Sequence, residues 1–408
     1  MTAIYLKERV AARLQAAREE AGYSKVEVAK LLGTDRQRIH GIENGDRPID
    51  VTTLLQLAQL YGRDASSFLR EDVPASQGVP VELRAPQVLS AESRRAIIQT
   101  WGTLCATFVR LRQHYGLDEQ PGALKRWLRD GGNSRVRDFA IEGHSQAVRR
   151  EMRLADEPIG ARIFDLISEH GIPVFRIALG RGEVDGAFVN YPGLDQVILV
   201  NRDQLLTRQI FTAAHELGHV IYEARKQHDS EVNLLGQKNP SEPQIDRFAS
   251  SLLMPRTAID LYVAQRLQRS EEGLSAEDVV HLQRHFGVSF LAMLVRLRRL
   301  GYISATRFEE LKLTPSVRLA ATLGYAVQQW EYGFPAEAED TPEHKVGGLP
   351  KQYVGLVMRA LEDHWFSQAA AAEALLLSVE EFERYLYYVD QQEQDVQDEL
   401  KFYDEHVA

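Results

Sequence analysis

One short string limits what this chain can fold into more than any other feature. Residues 211–221 read FTAAHELGHVI, with His215 and His219 four apart and Glu216 between them. On an α-helix that spacing puts both imidazoles on one face, one turn apart, where they can reach a single tetrahedral cation. Glu216 lies beside them, placed to take a proton from a metal-bound water rather than to ligate. The apolar flanks suit a helix buried beneath a cleft. Two histidines still leave a cation one protein ligand short, so the third must come from elsewhere in the chain.

Downstream stands Glu242-Pro-Gln-Ile-Asp246-Arg-Phe248-Ala249-Ser-Ser-Leu252-Leu253-Met254-Pro255. With Pro243 in a first turn, where its missing N–H costs nothing, Glu242 heads a second helix. Glu242 and Asp246 then share a face. Glu242 can complete a His-His-Glu set and leave a fourth position for water. Asp246 can accept the other ring N–H of a ligating histidine and fix its tautomer. With 12 histidines in the chain a chance surface string is the competing reading, and the apolar setting and the downstream Glu-x-x-x-Asp both count against it.

HELGH after Phe211, followed by ExxxD-x-FA-x-x-LLMP, resembles the ImmA/IrrE (M78-type) zinc metallopeptidases. The resemblance runs from about Ile159 to Gly301. It takes in Gly171-Ile172-Pro173-Val174, Asp185-Gly186-Ala187, Val197-Ile-Leu-Val-Asn201 and Phe286-Gly-Val-Ser289. It implies a thermolysin-like site with Zn2+ on His215, His219 and Glu242 and with Glu216 as base. It also implies a protein substrate, a cognate repressor cut to relieve repression. Many relatives carry Asn where this chain has Asp246.

The first 70 residues read as short helices in quick succession. Leu6, Val10 and Leu14 repeat at helical spacing, and Gly22 ends that segment. Ser24 and Glu27 form a capping box for the next helix, Gly33 stops it, and Thr34 is expected to cap the one after. Ala29 is small where two helices cross, and Ile39 and Ile42 bury the back of the following helix. Arg36, Gln37 and Arg38 are thereby presented at its N-terminal end, and Arg and Gln pair with guanine and adenine edges in a major groove. Lys25 and Arg47 are placed for phosphate. Asp35 opposes phosphate contact, although it suits a helix N-terminus.

Arg13 to Phe68 resembles the Xre/Cro-type helix-turn-helix family through Leu14, Arg18, Gly22, Ser24, Glu27, Ala29, Leu32-Gly33, Ile39, Ile42-Glu43, Gly45 and Leu54. The resemblance implies a double-stranded DNA operator. One such domain reads a short half-site, so a homodimer is expected. Gly41 lacks a side chain where relatives often carry a base-reading one. The alternative is a helical dimerisation or docking module without DNA binding.

Between and beyond these motifs the reading is coarser. The stretch Glu71 to Ala91, with three prolines, reads as a linker, and residues 90 to about 153 as amphipathic helix. Near Asp156 the texture changes: a helix from Ile159 to His170, then β-like runs at Val174–Ile177, Ala187–Asn190 and Val197–Val200. A loop is expected over Pro335 to Pro350. The domains are a helix-turn-helix at 1–72, a linker and helical connector at 73–153, a zincin-like metallopeptidase at 154–304, and a helical region with an acidic tail at 305–408. The fold class is α+β, predominantly α, with a small sheet of about three strands.

His281 and His285 repeat the four-residue spacing, but Leu282 replaces the glutamate, and they read as ordinary helix-surface residues. Cys105, the one cysteine of 408 residues, excludes an intrachain disulfide and reads as core. No apolar run of about 18 residues and no leader pattern stand in the sequence, so a cytoplasmic protein away from membranes is expected. Net charge is −10, which disfavours nucleic acid at face value. Residues 1–70 nevertheless hold 11 basic and 9 acidic side chains, while residues 378–408 hold 2 and 10. The acidity is mostly a property of the tail. The expectation is a regulatory zinc metallo-endopeptidase with a DNA-binding domain. The alternative is a transcriptional regulator or antitoxin-like protein whose metal site is structural or sensory.

Overall fold

The computed structural model describes residues 2–61, 68, 91–117, 124, 141–180, 184–229, 242–266, 273–327 and 341–406. They are mostly helical with one three-stranded mixed sheet, the α+β class expected from the sequence. The chain divides into two compact units. One holds Met1–Asp118, Val189–Asp195 and Leu356–Ala374; the other holds Glu119–Phe188, Gln196–Gly355 and Leu375–Ala408. The linker expected before Ala91 lies outside the described residues.

Four helices open the chain: α1 (Thr2–Glu20), α2 (Lys25–Leu31), α3 (Arg36–Glu43) and α4 (Val51–Leu60). Leu14, Val28, Ala29, Ile39, Ile42, Leu57 and Tyr61 form their shared core. The Ser24–Glu27 capping box closes reciprocally, at 3.2 and 2.8 Å. Gly33 takes φ +65°, the left-handed turn that separates α2 from α3. One expectation fails here. Asp35, not Thr34, caps α3, its carboxylate accepting from the Arg38 backbone N–H at 2.7 Å. A carboxylate at the positive end of a helix gains from the dipole as well as from the bond. The next helix, α5 (Ala91–His114), buries Trp101, Leu104, Cys105, Phe108 and Leu111.

After α6 (Ile141–Glu151) the single helix expected over Ile159–His170 is instead a 3-10 turn, Gly160–Arg162, followed by α7 (Ile163–Glu169). The strands are β1 (Val174–Ile177), β2 (Gly186–Tyr191) and β3 (Asp195–Asn201), in the order β1-β3-β2. β1 runs parallel to β3, with Val174 opposite Ile198. Central β3 buries Val197 to Val200 completely, which its unbroken β-branched and leucine run requires. Next come α8 (Leu206–Asp229) and α9 (Glu242–Leu253), which pack on each other through Leu217, Ile221, Ile245, Phe248 and Leu252 in the main core.

Helices α10 (Arg256–Arg266), α11 (Ala276–Phe286), α12 (Phe290–Leu300), α13 (Ala305–Lys312) and α14 (Ser316–Thr322) continue that helical layer. The loop expected over Pro335–Pro350 is, from residue 341, partly helical: Thr341 caps α15 (Pro342–Val346), and Pro342 sits where its missing N–H is harmless. Then come α16 (Lys351–Glu362), α17 (Gln368–Ala374) and α18 (Val379–His406). Ser378 and Glu381 cap α18 reciprocally, and Glu381 also pairs with Lys345 at 2.5 Å. Among the described residues no helix is long and apolar enough to cross a membrane.

Candidate metal centre and reading helix

α8 carries the two histidines and α9 begins at Glu242, so the crossing of these helices assembles the site. That crossing is tight because residue 218 is glycine. A Cβ there would lie 3.0 Å from both Ile245 Cγ2 and Phe248 Cδ1, each on a fully buried side chain. Three donor atoms converge: His215 Nε2 and His219 Nε2 are 3.0 Å apart, and Glu242 Oε2 is 3.2 Å from the first and 3.5 Å from the second. For zinc at about 2.0–2.1 Å from each donor, tetrahedral geometry sets donor separations of about 3.3–3.4 Å. The triangle fits that edge length, and the three side chains together could hold one metal ion.

Asp246 lies one turn further along α9. Its Oδ1 is 2.9 Å from His215 Nδ1. A carboxylate only accepts, so Nδ1 carries the proton and the Nε2 lone pair faces the donor triangle. Burial opposes a charged His215. The hydrogen bond to Asp246 and the charges of Glu216, Asp246 and Glu242 outweigh it and raise the imidazole above its usual range. The Phe188 ring of β2 stacks on His219, with centroids 5.8 Å apart and planes 14° from parallel.

Glu216 is 3% exposed, and its Oε2 has no hydrogen-bond partner. Burial pushes this carboxyl up to about 8; the charge of His215 pulls it down, and Glu242 and Asp185 raise it further. A dry carboxyl oxygen thus stands beside three convergent donors.

The start of β2 abuts this carboxyl. A Cβ on Gly186 would collide with Thr212 Cγ2, sit 2.8 Å from the Leu199 carbonyl oxygen, and approach Glu216 Cγ to 3.4 Å. Asp185 just before it is gripped by Arg208 through a forked pair at 2.9 and 2.6 Å. The parts played by Gly218, Gly186, Phe188 and Arg208 do not emerge from the sequence. Gly218 does leave a signal there: a glycine inside a buried helix costs about 1 kcal/mol against alanine, so it marks close packing. His281 and His285 serve tyrosines instead, His281 bonding Tyr325 Oη at 2.7 Å and His285 packing on Tyr262 at 4.5 Å between centroids.

On the first unit, Arg36, Gln37 and Arg38 are exposed at the head of α3, and Arg38 reaches Asp50 at 3.4 Å. Lys25 is turned inward, with Nζ 3.3 Å from Glu43 and 3.1 Å from His40 Nδ1. The stem of Arg47 lies over buried Gly41, where a Cβ would meet its Cγ and Cδ at 3.0 Å. Gly41 is thus a seat for Arg47. Beneath these residues Arg18 and Glu43, buried on α1 and α3, form a forked pair at 2.6 and 3.1 Å, and Arg18 also donates to the Tyr23 carbonyl at 2.7 Å.

Residues 167–298 match the family model described as the IrrE N-terminal-like domain of the M78 peptidases, and residues 14–68 match a helix-turn-helix model. The HTH-type transcriptional regulator RamB of Mycobacterium tuberculosis, in strain CDC 1551 / Oshkosh and in strain ATCC 25618 / H37Rv, is 21% identical over 241 residues. That alignment takes in 53% of this chain and 50% of each relative, so the chain spans about half the length of the curated relatives it matches. The donor triangle falls inside the first matched segment and the capped α2–α3 pair inside the second: the chain joins a segment similar to Xre-type helix-turn-helix domains to one similar to the IrrE/ImmA-like M78 domain.

Proposed function

We propose that this chain is a zinc-dependent endopeptidase that cuts a peptide bond in a protein substrate, a transcriptional repressor, and that it binds operator DNA as a cytoplasmic homodimer. The observation that carries the reading is the His215–His219–Glu242 triangle with the orphaned Glu216 carboxyl beside it. A zinc ion, when bound, polarises a peptide carbonyl and acidifies a water molecule. Glu216 would serve as the base that accepts a proton from an attacking water and returns it to the departing amine nitrogen. Asp246 keeps His215 in the Nδ1–H tautomer throughout. β2 is an edge strand in the sheet order, and its backbone offers an extended substrate a place to add as a further strand. Arg36, Gln37 and Arg38 read base edges, while Arg47 and Lys25 meet phosphate; Lys25 does so after leaving Glu43.

The test is Glu216→Gln in the full chain, assayed against repressors encoded beside its gene. The expected variant keeps one metal per chain and loses cleavage. Purified wild-type protein without stoichiometric metal overturns the reading. The second reading, a DNA-binding regulator with a structural or sensory metal site, draws on the relative's being named a transcriptional regulator. It expects Glu216→Gln to change nothing and His215→Ala to abolish regulation. Either reading expects Arg36→Ala with Arg38→Ala to weaken operator binding and flatten its salt dependence.

A further inference from the structure

The second unit holds a cavity of about 360 Å³ between α7, β1, the 343–351 segment and α18, within the size range of small-ligand sites, about 300–1,000 Å³. Its apolar lining includes Val174, Leu349, Tyr385 and Tyr388. The outer edge of β1 is closed by the 347–349 segment. The Arg176 backbone N–H donates to the Gly348 carbonyl at 2.7 Å, and Gly348 must be glycine because a Cβ would collide with the Arg176 carbonyl oxygen.

The Arg176 side chain is the unusual part of the lining. One Nη2 hydrogen goes to the Gly347 carbonyl at 2.5 Å, and the guanidinium lies 4.3 Å from the Phe164 ring. Among the described residues no carboxylate pairs with it. The nearby Asp165 is taken by Lys351 at 2.8 Å. The Arg176 side chain is half-buried in the cavity wall. Burial first, and then the positive charge of Arg202, push its pKa down to about 10. A half-buried guanidinium on a cavity wall with no carboxylate partner among the described residues presents a fork of N–H groups whose geometry a carboxylate matches. With Lys351 already neutralised and Glu343 adding negative charge to the wall, the cavity suits one negative charge better than the two of a phosphate.

We propose that this cavity is a binding site for a small organic carboxylate, its carboxylate on the free edge of Arg176 and its aromatic or branched body against Val174, Leu349, Tyr385 and Tyr388. The site is separate from the metal centre and stands whether or not the protein is a peptidase.

Calorimetric titration of the full-length protein with phenylacetate and isovalerate tests it, with phenylacetamide as the uncharged control. The expected result is saturable one-to-one binding of an acid, with the amide weaker by about tenfold or more for want of the charge-assisted pair. Arg176→Gln removes the binding, Tyr388→Ala weakens it, and His215→Ala leaves it intact because the acid does not sit on the metal. If Arg176→Gln is misfolded by circular dichroism, the acid–amide contrast and Tyr388→Ala decide alone. No saturable binding of either acid overturns the proposal, as does equal affinity for acid and amide, or unchanged affinity in a folded Arg176→Gln.

Discussion

Asp246 accepts a hydrogen bond from His215 Nδ1 at 2.9 Å while Glu242, one turn earlier on α9, faces His215 Nε2 at 3.2 Å. One helix face thus addresses both nitrogens of one ring. Asp246→Ala is expected to lower zinc affinity by about 10–100-fold, the usual effect of losing such a support, and Asp246→Asn to keep most of it. Competition with a chromogenic chelator measures both. Equal affinity in all three proteins removes Asp246 from any positioning role.

Gly186→Ala places a methyl against Thr212 and the Leu199 carbonyl oxygen, beside Glu216. Backbone cannot yield as a side-chain tip can, so overpacking of about 1–3 kcal/mol is expected, more than the gain from removing a strand glycine. Urea unfolding should show a lower midpoint at unchanged slope. A variant as stable as wild type shows that β2 can shift away from α8.

Breaking the Arg18–Glu43 pair leaves a buried charge. Arg18→Met is expected to cost about 3 kcal/mol, because among the described residues Glu43 then keeps Lys25 alone as an ion-pair partner, and Arg18→Met with Glu43→Leu to cost less than the single change. Thermal unfolding of full-length Arg18→Met, Glu43→Leu and the double variant reads the order. A double variant at least as damaged as the sum of its parts contradicts it.

His344 supplies a pH dependence. Burial, then the positive charges of Arg202 and Arg176, hold its folded-state pKa below the unfolded value of about 6.5. The unfolded chain therefore binds the proton more readily, and the His344 contribution falls as pH drops through 6.5 toward the lower folded value. Urea midpoints at pH 7.5 and 5.5 should differ less in His344→Gln than in wild type. An equal difference in both assigns the acid sensitivity elsewhere.

The features legible in the sequence are local. His215, His219, Glu242 and Asp246 follow from helical periodicity and a first-turn proline, and β1 and β3 from their β-branched runs. The cap of α3 falls one residue later than composition suggests, because Thr34 and Asp35 are both good caps and dihedral angles decide between them. Gly218 and Gly186 matter only through the side chains and backbone that pack on them. Arg18 and Glu43 are 25 positions apart, and nothing in their local pattern pairs them. The carboxylate cavity draws on residues from 161 to 388 and has no sequence signature.

The order β1-β3-β2 has a kinetic consequence. β3 is bonded on both sides, whereas loss of β1 or β2 breaks one ladder and leaves the other standing. The amides of Val197 to Val200, buried in the central strand, are expected to exchange most slowly in the sheet, which hydrogen exchange measures. The edge beside the histidines and the edge beside Arg176 can each breathe on its own clock, so access to one does not require access to the other.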